Sequence, residues 1–95
     1  MRDYEMTAIA SPEVGDENVP TVIERIKQFV IDAGGEVTKV DNWGRRRLAY
    51  PIDGFRDGYY FVTKFQIAPS ATLELERNVK LSEQIIRYML IRVGE

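Results

Sequence analysis

The chain has 95 residues, 44% of them apolar, and a formal net charge of −2, which is typical of one globular domain with its own core. It contains no cysteine and no histidine, which excludes disulfides, thiolate chemistry, the usual zinc sites and the commonest general base. No apolar run approaches the ~20 residues of a membrane span, and the start MRDYEMTA is not a signal peptide. We therefore expect a single cytoplasmic domain over residues 1–95, with no cofactor, metal, membrane partner or small-molecule substrate.

The first two predicted elements are a strand and an amphipathic helix. Residues 4–10 partly alternate between apolar and polar side chains, which predicts a strand. Apolar residues then recur at intervals of three and four over residues 19–33, the pattern of a helix with one buried face. Asp16 is the expected cap, Pro20 fits the first turn, and Gly34–Gly35 is expected to end the helix.

The middle of the chain predicts two further strands. Residues 36–52 are rich in extended formers, and Trp43–Gly44 indicates a bulge midway. The dipeptides Asp53–Gly54 and Asp57–Gly58 are expected to bracket a turn. A third strand is predicted over residues 59–67, with alternate side chains on opposite faces.

A second helix and a last strand complete the predicted fold. Pro69–Ser70 opens the helix, whose inward positions are Thr72, Leu75 and Val79, and residues 85–93 predict the strand. The order β-α-β-β-α-β predicts an α+β, ferredoxin-like fold, a four-stranded antiparallel sheet with two helices on one face. In the usual sheet order 4-1-3-2 the second strand lies at an edge. The other face is then left to solvent or to a partner.

Charge is distributed unevenly along the chain. Residues 1–43 carry four basic and nine acidic side chains, a balance of −5, whereas residues 44–95 carry nine basic and six acidic ones, a balance of +3. The densest basic segment is Arg45–Arg46–Arg47. A basic patch on an acidic body indicates local contact with a polyanion. The alternatives are a solvated surface, or arginines that protect an edge strand from aggregation.

Four segments of the sequence resemble the ribosomal protein six family of the bacterial small (30S) subunit. They are MRDYE at the start, WGRRRLAYPI in the second strand, GYYFV in the third and IIRYMLIR at the end. The similarity extends over nearly the whole chain. It implies a ferredoxin-like fold and a structural, non-enzymatic role in the ribosome. It also implies binding to the central domain of small-subunit ribosomal RNA, together with ribosomal protein eighteen as a heterodimer.

The resemblance implies that the first and fourth strands, neighbours in this sheet order, contact ribosomal RNA chiefly through phosphates. Arginine suits phosphate because its planar guanidinium donates paired hydrogen bonds and keeps its charge. The aromatic Tyr4 is either a core residue or a base-stacking one. The candidate RNA-binding residues are Arg2, Tyr4, Arg45, Arg46, Arg47, Arg87 and Arg92.

Strand parity separates the arginines of the second strand into two groups. One face carries Arg46, Leu48 and Tyr50, and the opposite face carries Arg45, Arg47 and Ala49. If Leu48 and Tyr50 point to the core, Arg45 and Arg47 lie on the helix-free face. How the three arginines divide between RNA and the partner protein stays open.

Aromatic residues flank the basic segment. Trp43 and Phe55 are either interface anchors, since aromatic residues near arginine are frequent hot spots, or residues that close the end of the core. The candidate interface with the partner protein consists of Trp43, Arg45, Arg47, Ala49, Tyr50, Phe55 and Tyr60.

Two other functions agree less well with the sequence. Residues 58–63, GYYFVT, resemble part of the RNA-recognition-motif consensus, and the alternative is therefore an independent binder of single-stranded RNA. Against it, Asp57 replaces an expected basic residue, and Thr7 and Ile9 replace a first-strand aromatic residue. An enzyme is not expected and no catalytic residue is predicted, because the serines Ser11, Ser70 and Ser82 have no histidine to activate them.

Overall fold

Four antiparallel strands and two helices form the fold in a computed structural model that describes residues 1–94. The strands are β1 (Arg2–Ala10), β2 (Glu36–Ile52), β3 (Phe55–Ile67) and β4 (Ile85–Arg92), and the helices are α1 (Val19–Asp32) and α2 (Thr72–Leu81). The strands are ordered β2-β3-β1-β4 across one sheet. This arrangement confirms the predicted ferredoxin-like order and places β2 and β4 at the edges. Within residues 1–94, no helix is long and apolar enough to cross a membrane.

The core lies between the two helices and one face of the sheet. Both helices follow the predicted apolar periodicity, and Leu75 and Val79 of α2 are fully buried. Thr72, the third predicted inward position, is only half-buried. The sheet contributes alternate residues, because successive side chains of a strand point to opposite faces. The largest of these side chains, all buried against the helices, are Met6, Phe61, Phe65 and Ile67.

The boundaries of α1 differ from the prediction at one end only. Asp16 lies in a separate single turn, Asp16–Asn18, so its predicted role as the helix cap is wrong. Pro20 lies in the first turn of α1, where the missing backbone N–H is not needed. At the other end Gly34 has φ of +87°, a left-handed conformation that glycine adopts at little cost, and the helix ends there as predicted.

The hairpin formed by β2 and β3 is longer than the rest of the sheet. β1 pairs with β3 only as far as Tyr59, and the hairpin continues to a turn at Asp53–Gly54. Both turn residues have positive φ, which matches the right-handed twist of the flanking strands. Asp57 lies within β3 opposite Arg47, so the prediction that Asp57–Gly58 closes the turn is wrong. This cross-strand pairing extends the ladder beyond the predicted strand ends.

Three irregularities interrupt the pairing of β2 with β3, the first of them between Val37 and Lys39. The register shifts again between Asn42 and Gly44, where Gly44 has φ of +78°, and this confirms the predicted bulge. The third shift leaves the four residues 48–51 of β2 opposite the single residue Arg56 of β3. The excess length carries this segment over the helix-free face, where Arg87 of β4 donates a hydrogen bond to the Tyr50 hydroxyl.

A hydrogen bond between β4 and α2 makes the stability of the native state depend on pH in the alkaline range. The Tyr88 hydroxyl donates to Glu76 Oε1 at 2.9 Å. Burial, followed by the hydrogen bond to Glu76 and its negative charge, raises the pKa of Tyr88 to about 12 from an ordinary value of 10.0. A pKa raised on folding means that the protonated form stabilises the native state. This stabilisation is complete below pH ~10 and is lost as the pH rises through ~12.

We expect Tyr88→Phe to lower the free energy of unfolding at pH 8 by about 0.5–1.5 kcal/mol, the net value of a typical hydrogen bond. The difference between wild type and variant should shrink as the pH rises from about 10 to 12. Urea unfolding at several pH values measures it, and Tyr60→Phe, which leaves the Tyr88–Glu76 bond in place, is the control. A difference that does not change over this pH range would contradict the role of the Tyr88 proton.

Candidate nucleic-acid interface

The end of the hairpin contains a basic depression on the protein surface. Its volume is about 360 Å³, and it is lined by Arg45, Arg46, Arg47, Arg56 and Asp57. The first three arginines come from β2, and Arg56 comes from β3 just beyond the turn. Four guanidinium groups face one carboxylate, so the depression attracts anions even though the whole chain is acidic. We call this depression the hairpin cleft.

Arg45 is held by its neighbours on β3. Its Nε donates to Asp57 Oδ2 at 2.8 Å, and its guanidinium carbon lies 5.7 Å from the centre of the Tyr59 ring. The hydrogen bond and the negative charge of Asp57 raise the pKa of Arg45 above its ordinary value. The pair is exposed and therefore adds little to stability, but it fixes the position of the guanidinium.

Arg46 is stacked on an aromatic pair formed by Trp43 and Tyr60. Its guanidinium carbon lies 5.7 Å from the Trp43 ring centre, and its Nε donates to the Trp43 carbonyl oxygen at 3.3 Å. The Trp43 ring is in turn nearly parallel to the Tyr60 ring, with an angle of 6° and 6.4 Å between ring centres. Arg46, Trp43 and Tyr60 thus form a layered stack on the outside of the sheet.

A third arginine–aromatic pair lies on the same outer face. The guanidinium carbon of Arg87 lies 5.6 Å from the Tyr50 ring centre, in addition to its hydrogen bond to the Tyr50 hydroxyl. The contact joins β4 at one edge of the sheet to the hairpin at the other edge. The structure thereby brings Arg87, a candidate for RNA contact, onto one surface with Trp43, Tyr50 and Tyr60, which were candidates for the partner interface.

The two groups of arginines lie on the faces opposite to those expected. Arg45 pairs with Tyr59, whose ring is buried in the core, so Arg45 and Arg47 belong to the helix side of the sheet. Leu48 instead lines a depression of about 170 Å³ on the helix-free face, where only 7% of it is exposed. The prediction that Leu48 and Tyr50 point to the core is wrong, and Ala49 lines the same helix-free depression as these two residues, because the excess residues 48–51 interrupt the alternation. Leu48 is buried because the hairpin curls over the sheet.

The remaining RNA-binding candidates lie at the other end of the sheet. Arg2 pairs with Ile67 at the end of β3, about 26 Å along the strand direction from Tyr59, which pairs with Arg45. Arg92 pairs with Tyr4 on the same end and is exposed, as is Arg2. These two arginines therefore form a basic region separate from the hairpin cleft.

Tyr4 belongs to the core. Only 8% of it is exposed, and its ring is stacked on Phe65 with 6.0 Å between ring centres. The core alternative for this residue is therefore correct, and its ring is not accessible to a base. Of the other interface candidates, Ala49 is exposed beside the cleft, and Phe55 is half-buried next to the turn.

The helix-free face also exposes apolar side chains. Trp43, Tyr50, Met89 and Ile91 are each about half exposed, with values of 49%, 56%, 55% and 47%. Ile9 lies beneath them and is buried. Large apolar side chains grouped on an uncovered sheet face are typical of a surface that binds another macromolecule. Among the described residues, no three acidic side chains gather closely enough to hold a metal ion.

Sequence reasoning missed two kinds of residue in this region. Arg56 was left out of the candidate site because residues 53–58 were interpreted as a turn, although an arginine beside a predicted hairpin turn was a usable signal. Met89 and Ile91 were also left out. Alternation along the last strand would have placed them with Arg87 on one face.

A ferredoxin-like sheet with one uncovered face, bordered by arginines and aromatic rings, defines a class of proteins that act through a binding surface. Comparison with known proteins identifies the family. The sequence model described as ribosomal protein S6 matches residues 3–92. The chain therefore belongs to the ribosomal protein S6 family of the small ribosomal subunit.

Individual relatives agree with this assignment. The small ribosomal subunit protein bS6 of Desulforamulus reducens is 45% identical over 95 residues, covering 100% of both chains. The protein of the same name from Moorella thermoacetica is 40% identical, covering 100% of this chain and 97% of that one. The crystal structure of 30S ribosomal protein S6 from Thermotoga maritima superimposes with a TM-score of 0.90 at 33% identity, covering 96% of this chain and 86% of that one. A small-subunit protein functions in translation, on the cytoplasmic ribosome.

Proposed function

We propose that this protein binds the central domain of small-subunit ribosomal RNA together with ribosomal protein eighteen, as a non-catalytic structural component. The whole chain would act as one domain that presents a rigid sheet surface to both partners. The observation that carries the proposal is the helix-free face, on which Arg46 and Arg87 are held against aromatic rings. Aromatic and arginine side chains at the centre of a surface are the residue types that dominate binding energy.

The two partners fit different parts of this surface. Removing apolar side chains such as Tyr50, Met89 and Ile91 from water lowers the free energy. These side chains therefore favour a protein partner on the helix-free face. The hairpin cleft at the edge of that face carries charge suited to phosphate. A protein on the face and RNA at its edge would therefore meet along the hairpin.

The helix-free face is less suited to the alternative, an independent binder of single-stranded RNA. Such a binder stacks two or three bases on aromatic rings of the central strands. On β1 the positions facing this side are Thr7 and Ile9, and on β3 the Tyr60 ring is already stacked against Trp43. The exposed aromatic rings of this face, Trp43 and Tyr50, belong to the edge strand β2 and not to the central strands.

Directed cleavage of ribosomal RNA would test the proposal. The chain has no cysteine, so a single one can be introduced at exposed Ala49 and coupled to an iron chelate that cleaves nearby RNA. In small subunits reconstituted with the labelled Ala49→Cys protein, we expect cuts confined to the central domain. The matched control is Thr21→Cys, an exposed position on α1, from which cuts should be weak. Cuts in another domain, or a protein that does not enter the subunit, would contradict the proposal.

A further inference from the structure

The arginines of the hairpin cleft differ in the partners that they already have. Arg45 is bound to Asp57 and stacked on Tyr59, and Arg46 is bound to and stacked on Trp43. Within residues 1–94 the ion pairs are Lys27–Glu24, Lys39–Asp41 and Arg45–Asp57. Arg47 and Arg56 therefore have no carboxylate of residues 1–94 at ion-pair distance, although both line the same cleft.

Arg47 and Arg56 are also neighbours in space. Arg47 of β2 lies opposite Asp57 of β3, and Arg56 is the residue before Asp57, so the two side chains leave their strands on opposite faces at the open end of the hairpin. Both side chains nevertheless line the hairpin cleft, and both also line a second depression of about 120 Å³ beside residues 48–51. Like charges in one cleft repel each other, and a bound anion would reduce that repulsion. The one carboxylate of the cleft, Asp57, is paired with Arg45, so the other arginines are in excess.

We propose that Arg47 and Arg56 together bind one phosphodiester group of RNA in the hairpin cleft, and that Arg45 and Arg46 hold the cleft in shape without contacting phosphate. This division rests on the proposed function and assigns a role to Arg56. The planar guanidinium donates two parallel hydrogen bonds to phosphate oxygens, so two arginines that line one cleft can share a single phosphate. Arg45 and Arg46 already donate from Nε to Asp57 and to the Trp43 carbonyl oxygen, so they cannot use that N–H in a paired hydrogen bond to phosphate without leaving these partners.

Inorganic phosphate provides a test that does not depend on the ribosome. In an NMR titration of the full chain at constant ionic strength, the Nε–H resonances of Arg47 and Arg56 should shift on adding phosphate in place of chloride. The resonances of Arg45 and of Arg77, an exposed arginine on α2, should shift much less. The variant Arg56→Gln should abolish most of the shift at Arg47, because the pair shares one anion. Equal shifts at all four arginines, or an Arg47 shift unchanged by the variant, would overturn the proposal.

Binding to central-domain RNA in the presence of the partner protein distinguishes RNA from free phosphate as the ligand. Each of Arg47→Gln and Arg56→Gln should flatten the slope of log affinity against log salt by about 0.7–0.9, as expected for one lost phosphate contact. Arg45→Gln and the control Arg77→Gln should leave the slope unchanged. A phosphate response with unchanged slopes would overturn the assignment to RNA. If the wild-type chain binds no ribosomal RNA, the proposed function fails, and the assignment of an RNA phosphate fails with it whatever the titration shows.

Discussion

Replacement of Leu75 by alanine is expected to lower the free energy of unfolding by about 2–5 kcal/mol. Leu75 is completely buried between α2 and the sheet, in the same cluster as Phe61 and Phe65. Truncation removes the favourable transfer of its side chain from water and leaves a cavity that its neighbours fill only in part. A loss in this range is a large fraction of the 5–15 kcal/mol that stabilises a typical domain.

The same helix supplies a matched control for this measurement. Leu73 lies two residues earlier on α2 and is 74% exposed, so Leu73→Ala deletes the same atoms without opening a cavity. We expect it to change stability by no more than ~0.5 kcal/mol. Urea unfolding of both variants gives the two values. An effect of Leu75→Ala below ~0.5 kcal/mol would show that the inward face of α2 is assigned incorrectly.

Leu75 is buried and Leu73 is exposed, as expected for a helix with one apolar face. Periodicity of this kind made the order of the elements predictable from the sequence. A helix that packs on a sheet must repeat its apolar residues at three and four positions, and both helices do so. The first and third strands were likewise recognisable by alternation, and the left-handed glycines Gly34 and Gly44 occur where a helix ends and where a strand bulges. These are local rules, and the chain obeys them.

The faces of the arginines could not be predicted by such rules. Alternation states which residues of β2 share a face, but an apolar anchor is needed to decide which face is buried. Leu48 is the apolar residue of this segment that suggests a face, but it is buried on the opposite side because four residues of β2 bulge over the sheet. Whether such an excess segment curls towards or away from the helices depends on distant contacts such as Tyr50 with Arg87.

The role of Asp57 was missed for a related reason. An Asp–Gly dipeptide usually indicates a turn, and the nearby Asp53–Gly54 is one. Asp57 is instead kept in β3 by its pairing with Arg47 and its ion pair with Arg45. Cross-strand partners thus decided between two local signals of equal strength. The hairpin cleft depends on this pairing, so the sequence did not predict that Arg56 and Asp57 would line one depression with the arginines of β2.

The second large effect is expected in RNA binding. Isolated wild-type protein should bind central-domain RNA weakly, because affinity for nucleic acid comes mainly from neutralised phosphates. The chain has a net charge of −2, and its basic regions at the hairpin cleft and near Arg2 are about 26 Å apart. A complex with ribosomal protein eighteen would add the partner's charges to the same surface. We therefore expect tight RNA binding only from the heterodimer.

Simultaneous replacement of Arg45, Arg46 and Arg47 by alanine should weaken this ternary assembly and leave the fold intact. All three side chains are exposed, and the one ion pair among them is at the surface, so their loss should change stability little. The effect on assembly has two sources. If the proposed contacts form, Arg47 loses its phosphate, and the stack of Arg46 on Trp43, on the face assigned to the partner, is also lost. Each lost phosphate contact should flatten the salt dependence by about 0.7–0.9 in log–log slope.

Binding of central-domain RNA at several salt concentrations, with and without the partner, measures both expectations. A control that removes the same positive charge from the two helices, with Arg25 of α1 and Arg77 and Lys80 of α2 changed to alanine, separates local contact from net charge. If net charge alone governs binding, the two triple variants should lose affinity equally. If the hairpin is the contact, the control should assemble nearly as well as wild type. Tight, specific binding by the isolated chain, or normal assembly of the hairpin variant, would contradict a shared RNA and protein interface at these arginines.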